Sequence, residues 1–227
     1  MAGIDTGRGF SRITGVAYAL IFALAIHANF AVIGALPSVS DPEALAAALS
    51  SGDLAIKTAV AELLGVMVCD VVVSWGLYRV FLPTSSALNG LSSIFRLTYT
   101  IAFIPVILTL LNAEKLASLG VDPALVASQV SAYHQGFTMT LLFFGVHLML
   151  LGWVIASTGR LPRLIAPLVG LAGLGYVLDA LLVLLAPELR SAIIGVWSPA
   201  VILAALVGEG LLTVVLLIAP VRQVTEN

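Results

Sequence analysis

A chain of 227 residues that is 60% hydrophobic and 10% charged, with a mean hydropathy of +1.13, cannot fold as a water-soluble globule. Soluble domains carry roughly a quarter charged residues to cover their surface. The net charge of −2 gives no basis for nucleic-acid binding, and a single cysteine, Cys69, excludes an internal disulfide framework and any multi-cysteine metal site.

The apolar runs do not alternate as barrel strands do, and several reach the roughly 20 residues of a transmembrane helix. An all-α polytopic bundle follows, with six spans predicted at approximately 13–36, 55–82, 88–111, 131–157, 163–186 and 198–219. Residues 1–12 and 220–227 are read as cytoplasmic tails. The first apolar core, of about 24 residues, exceeds the 7–15 of a cleaved signal peptide and is read as a retained span. In "DPEALAAALSSGD" Asp41 is placed to N-cap and Pro42 to open a short interfacial helix ending near Gly52. Asp122 and Pro123 repeat the device, opening a second extracytoplasmic interfacial helix that can run on into the fourth span. Pro105 is expected to kink the third span. Pro162 and Pro199 sit at the starts of the fifth and sixth, where a missing N–H costs little.

Lysine and arginine placement sets the orientation. With a cytoplasmic N-terminus, that side holds Arg8, Arg12, Arg79, Arg160, Arg163 and Arg222, with Arg96 just inside the membrane. The other side holds Lys57, Lys115 and Arg190 beside Asp41, Glu43, Asp53, Glu114, Asp122 and Glu188. Both termini are therefore expected in the cytoplasm.

Ionisable residues within spans are costly in hydrocarbon and usually face the bundle interior. Counting 1.5 Å per residue from the cytoplasmic end puts Asp70, Glu209, His147 and Arg96 at depths of roughly 18, 15, 16 and 12 Å. These four form a candidate buried polar layer near the midplane. His27, Asp179 and Glu62, at roughly 22, 24 and 30 Å by the same count, form a second layer towards the outside. Facing agrees. Glu209 lies in a stripe of small residues (Ala205, Gly208, Gly210, Thr213), and Arg96 between Ser92 and Thr100. An Asp70–Arg96 pair reads first as a structural tie between helices. Glu209 either completes a charge balance with that arginine or is held protonated by desolvation. His147 is expected to hydrogen-bond a carbonyl, and His27 and His134 to be interfacial.

No catalytic motif occurs: G-x-S-x-G, H-E-x-x-H and the P-loop are absent. Gly170, Gly173 and Gly175 of "GLAGLG" lack a preceding strand and read as packing residues. His134 and His147 point about 140° apart on one helix and cannot share an ion. A haem held between His27 and His147 is conceivable but has no spacing signature. No metal site or cofactor is expected, with haem or quinone the alternatives.

The stretch from Thr140 to Pro187 resembles the family of bacterial six-helix membrane proteins catalogued as the DUF4386 domain. A span containing Gly145, His147 and Gly152 is followed by the turn "STGRLPR" and by "GLAGLGY" leading into Asp179. The likeness extends to "RITGVAYALIFALAI", to "AELLGVM" with Glu62 and to "GEGLLTVVLLIAPV" with Glu209, over most of residues 12–222. Arg96, in "RLTYTIAF", lacks the acidic residue expected a few positions after it, so an ion pair inside the third span is not carried over. The resemblance implies a six-span fold in the bacterial inner membrane and no particular activity.

The favoured reading is a non-enzymatic membrane component whose polar core is structural and which works through a protein partner, a second copy or lipid. Two others stand beside it: a small proton-coupled transporter with a Glu209–His147 relay, and a protein that binds a lipid, quinone or haem between its helices.

Overall fold

Long aliphatic runs, interrupted mainly by Gly- and Pro-bearing turns, leave the backbone no way to satisfy its polar groups in an apolar setting except as helices. The computed structural model describes residues 6–51, 54–82, 86–159 and 161–218. Gly52, Asp53, Arg160, Arg222 and the tail 220–227, which carried expectations above, lie outside the described residues. Those residues hold α1 (Thr6–Ile26), α2 (Pro42–Ser50), α3 (Ala55–Phe81), α4 (Ser86–Ser118), α5 (Pro123–Thr158), α6 (Ile165–Leu185) and α7 (Pro187–Ile218), and no strand. Past Ile26 the first helix loosens into a π-helical turn (His27–Val32) and tightens into a 3₁₀ turn (Ile33–Ala35).

Five helical stretches are long and apolar enough to cross a membrane: 8–35, 87–118, 123–158, 165–185 and 187–218. The exception is α3, which carries Lys57, Glu62, Asp70 and Arg79 along its length. Large apolar side chains such as Val68, Ile101, Trp153 and Leu203 point outward, each more than 60% exposed, while Asp70, Arg96, His147 and Glu209 are buried. That inverted distribution belongs to a protein whose surroundings are hydrocarbon.

Apart from α2, each helix packs on its neighbour in sequence, and α7 returns to pack on α1. The six long helices thus close a ring, α1–α3–α4–α5–α6–α7, with α2 laid against α4 and α5. Leu45 and Leu49 anchor α2, and Asp41 caps it by accepting from the Ala44 N–H. Between α5 and α6 the backbones almost touch: a Cβ on Gly145 would stand 2.6 Å from the Gly173 carbonyl oxygen. Only glycine allows that approach. Gly159, with φ +61°, ends α5 in the left-handed conformation that lets the chain turn back towards α6.

Two expectations need correction. The predicted second extracytoplasmic helix is not a separate element. Asp122 does cap it, through the Ala124 N–H, but it continues without a break as the first turns of α5. And Pro199 does not open the last helix, since α7 already begins at Pro187, after the single residue Ala186 that ends α6. Pro187 takes the first position, where its missing N–H is harmless, and the helix absorbs the loss of one bond at Pro199. Pro105 likewise lies within α4 without interrupting it.

Candidate functional site

One face of α4 explains the middle of the molecule. Asn89, Ser92, Arg96 and Thr100 recur at helical spacing and are all buried. Asn89 donates to the Tyr78 carbonyl of α3, and Ser74 and Ser93 exchange bonds between their hydroxyls and each other's carbonyls. Polar groups thus bind α4 to α3 in the buried interior.

Arg96 is the hub. Its Nε donates to Asp70 Oδ1 at 2.8 Å, and Nη2 donates to the same oxygen. Nη1 donates to the Tyr18 hydroxyl at 2.9 Å and to His147 Nε2 at 3.2 Å. The guanidinium also lies over the rings of Tyr18 (4.9 Å) and Phe144 (5.2 Å). One side chain of α4 therefore engages α1, α3 and α5 together.

The protonation of His147 follows from its partners. Arginine offers only donors, so Nε2 accepts and the ring is neutral with its proton on Nδ1. That nitrogen donates to the Ser92 carbonyl at 2.9 Å, while Ser92 Oγ donates to the His147 carbonyl at 3.2 Å. Both ring nitrogens face protein groups, and His147 stands behind Arg96.

Inside the ring lies a cavity of about 350 Å³, walled by all six long helices. Its inner end is formed by Tyr18, Asp70, Arg96, Tyr99, Tyr176 and Glu209. Apolar side chains, including Phe22, Phe103, Phe137 and Val201, form most of the rest. The lining follows α7 from Glu209 out to Arg190, roughly 28 Å at 1.5 Å per residue. Of the four residues expected near the midplane, Asp70, Arg96 and Glu209 line this space and His147 does not. The Glu209 side chain is buried, yet its carboxylate has no hydrogen-bond partner among the described residues; only its backbone carbonyl is engaged, by Thr213.

The residues grouped as an outer layer separate into two pairs. His27 Nδ1 meets Glu62 at 2.8 Å at an exposed position between the π-helical turn and α3. Asp179 is held by Arg190, Nε to Oδ1 at 2.9 Å and Nη2 to Oδ2 at 3.1 Å, across the α6–α7 junction at the outer end of the cavity. His134 is exposed beside Tyr133. No group of three or more potential metal ligands occurs among the described residues.

Tyr18 and Arg190 escaped the reading of the sequence. The signal for Tyr18 was present: Ser11, Thr14 and Tyr18 share the buried face of α1 at spacings of three and four. Arg190 looked like a loop cation because the last helix was started too late. With α7 beginning at Pro187, Arg190 falls within reach of the last turns of α6.

The chain matches the family model described as "Domain of unknown function (DUF4386)" over residues 13–219. It is also 26% identical, over 132 residues covering 57% of this chain and 71% of the relative, to an "Uncharacterized protein" of Archaeoglobus fulgidus. No solved structure matches. With the matched region running from α1 to the end of α7, the chain belongs to the DUF4386 family.

Proposed function

We propose that the chain crosses a cytoplasmic membrane six times, with both termini inside, and that its central cavity binds an amphipathic molecule drawn from the bilayer. The distribution of lysine and arginine supports the orientation. Partnering of every α3 charge supports α3 as the sixth span. Lys57 meets Glu114 at 3.0 Å, Glu62 meets His27, Asp70 meets Arg96, and Arg79 lies over the Phe10 ring.

The observation that carries the binding reading is the cavity itself. A purely structural polar core would be packed shut, because protein interiors fill to crystal-like density and satisfy their buried polar groups. Here an apolar chamber ends on Glu209, whose carboxylate has no hydrogen-bond partner among the described residues, and on an arginine held rigid by four bonds. An apolar wall with a few convergent polar groups is the build of a small-molecule site. The cavity-lining residues that remain exposed are Ile26, Phe30, Ile202 and Leu206, all on α1, its π-helical extension or α7. They mark the seam where the ring closes as the way in from the lipid.

The test is extraction. Protein purified from its membrane in mild detergent should yield a hydrophobic molecule in stoichiometric amount by mass spectrometry, and Ala205→Trp, which fills the cavity, should abolish it while the protein stays folded. An equal yield of bound molecule from the filled variant would refute the proposal.

A further inference from the structure

The inner end of the cavity has a charge imbalance. Two carboxylates, Asp70 and Glu209, face one guanidinium, and that guanidinium is already committed to Asp70. Four of the five N–H groups of Arg96 are spent on Asp70, Tyr18 and His147. Asp70 Oδ2 and both Glu209 oxygens carry no hydrogen bond among the described residues. With Glu209 ionised, the form a bound cation favours, the surplus is one negative charge with unused acceptor atoms.

Aromatic rings surround that surplus; Arg96 already lies over Tyr18 and Phe144, which leaves Tyr99 and Tyr176 to meet a second cation. Tyr18, Tyr99, Phe144 and Tyr176 all line the same end, with Tyr99 and Phe144 at 4.9 Å and Phe144 and Tyr176 at 5.9 Å between ring centres. Electron-rich ring faces beside an uncompensated carboxylate are the chemistry that recognises ammonium groups. An anionic head would meet Glu209 and Asp70 with only one unspent N–H of Arg96 to receive it. A neutral hydroxyl head would bond to the tyrosines but leave the charge uncovered, which is costly in a low-dielectric setting.

Resting on the proposal that the cavity holds an amphiphile, we infer that its ligand is a lipophilic ammonium: a single cationic nitrogen head seated against Glu209 among the tyrosines, with its hydrocarbon body in the chamber above. The cation restores neutrality at the inner end, and the tail occupies the apolar wall formed by Phe22, Phe103, Phe137 and Val201.

Three probes of equal chain length separate the cases: octylammonium, octanol and octanoate, each measured by equilibrium dialysis against protein in nanodiscs, with empty nanodiscs subtracted. Octylammonium should bind about tenfold more tightly than octanoate and octanol, and Glu209→Gln should remove about that factor for octylammonium alone. Equal affinity for octylammonium and octanol, or a preference for octanoate, overturns the ammonium assignment while leaving the cavity as a binding site. Failure of all three probes to bind the wild-type protein above the level of Ala205→Trp overturns the binding proposal itself. The comparison of head groups on the wild-type protein needs no variant to fold.

Discussion

Arg96 Nε donates to Asp70 Oδ1 over 2.8 Å, tying α4 to α3 with the arginine side chain 1% and the aspartate 3% exposed. A buried ion pair gains little over an apolar pair of the same shape, but removing one partner strands a charge where nothing solvates it. Asp70→Asn and Arg96→Gln are each expected to cost about 3–5 kcal/mol. The double variant should cost clearly less than the sum, because the stranded charge disappears with its partner. Unfolding in mixed micelles measures all three; strict additivity would mean that the two residues are not energetically coupled.

His147 and Ser92 are linked by bonds of unequal weight. The ring joins the Arg96 guanidinium to the Ser92 carbonyl, whereas the Ser92 hydroxyl adds a bond to the His147 carbonyl. His147→Ala leaves an arginine donor and a carbonyl unpaired and should cost about 1–3 kcal/mol. Ser92→Ala removes the hydroxyl that also meets Nδ1 at 2.8 Å but keeps the ring's bonds to Arg96 and to the Ser92 carbonyl, and should cost about 0.5–1.5 kcal/mol. The same unfolding assay ranks them, and a larger loss for Ser92→Ala would contradict the bonding described.

The difference between local and long-range information decides what could be read in advance. Each of the six predicted spans is helical, and Asp41 and Asp122 cap as expected, because hydropathy and capping are local properties. The grouping of Asp70, Arg96, His147 and Glu209 was reachable by counting depth, since rise per residue is fixed. What counting cannot supply is rotation about the helix axis. Asp70, Arg96 and Glu209 line the cavity and His147 does not, although the count gives all four a similar depth. The cavity has no sequence signature at all: it arises because six helices close a ring too wide for the side chains within it to fill.

The α5–α6 contact should tolerate no side chain at Gly145 or Gly173. Either glycine replaced by leucine drives the helices apart against backbone, and overpacking of this kind costs about 1–3 kcal/mol or more. Gly170→Ala is the control, since a Cβ there meets nothing within 4 Å. Folded yield and melting temperature should fall for the first two and stay unchanged for the third.

Sidedness distinguishes six crossings from five. In a Cys69→Ser background, single cysteines at Ser38, Leu119 and Glu188 should react with an impermeant maleimide on intact cells. Cysteines at Leu82 and Leu164 should react only after permeabilisation. Were α3 to lie outside the bilayer, Ser38 and Leu82 would label from the same side.

The seam between α1 and α7 is the weak place in the ring, because Ile26, Phe30, Ile202 and Leu206 border the cavity and yet remain open to the surroundings. A molecule leaving the chamber sideways must pass these four side chains and need not disturb the Arg96 hub. Ile202→Trp narrows the gap, so a fluorescent alkylammonium should leave several-fold more slowly in stopped-flow dilution, with its equilibrium preference for the cavity little changed. Phe30→Ala widens the gap and should speed release. Both effects follow if the barrier is steric and local, since rates respond to the width of the passage while affinity is set at the inner end by Glu209 and the tyrosines. Unchanged rates in both variants would place the route elsewhere, and the outer mouth beside the Asp179–Arg190 pair would then be the next passage to close.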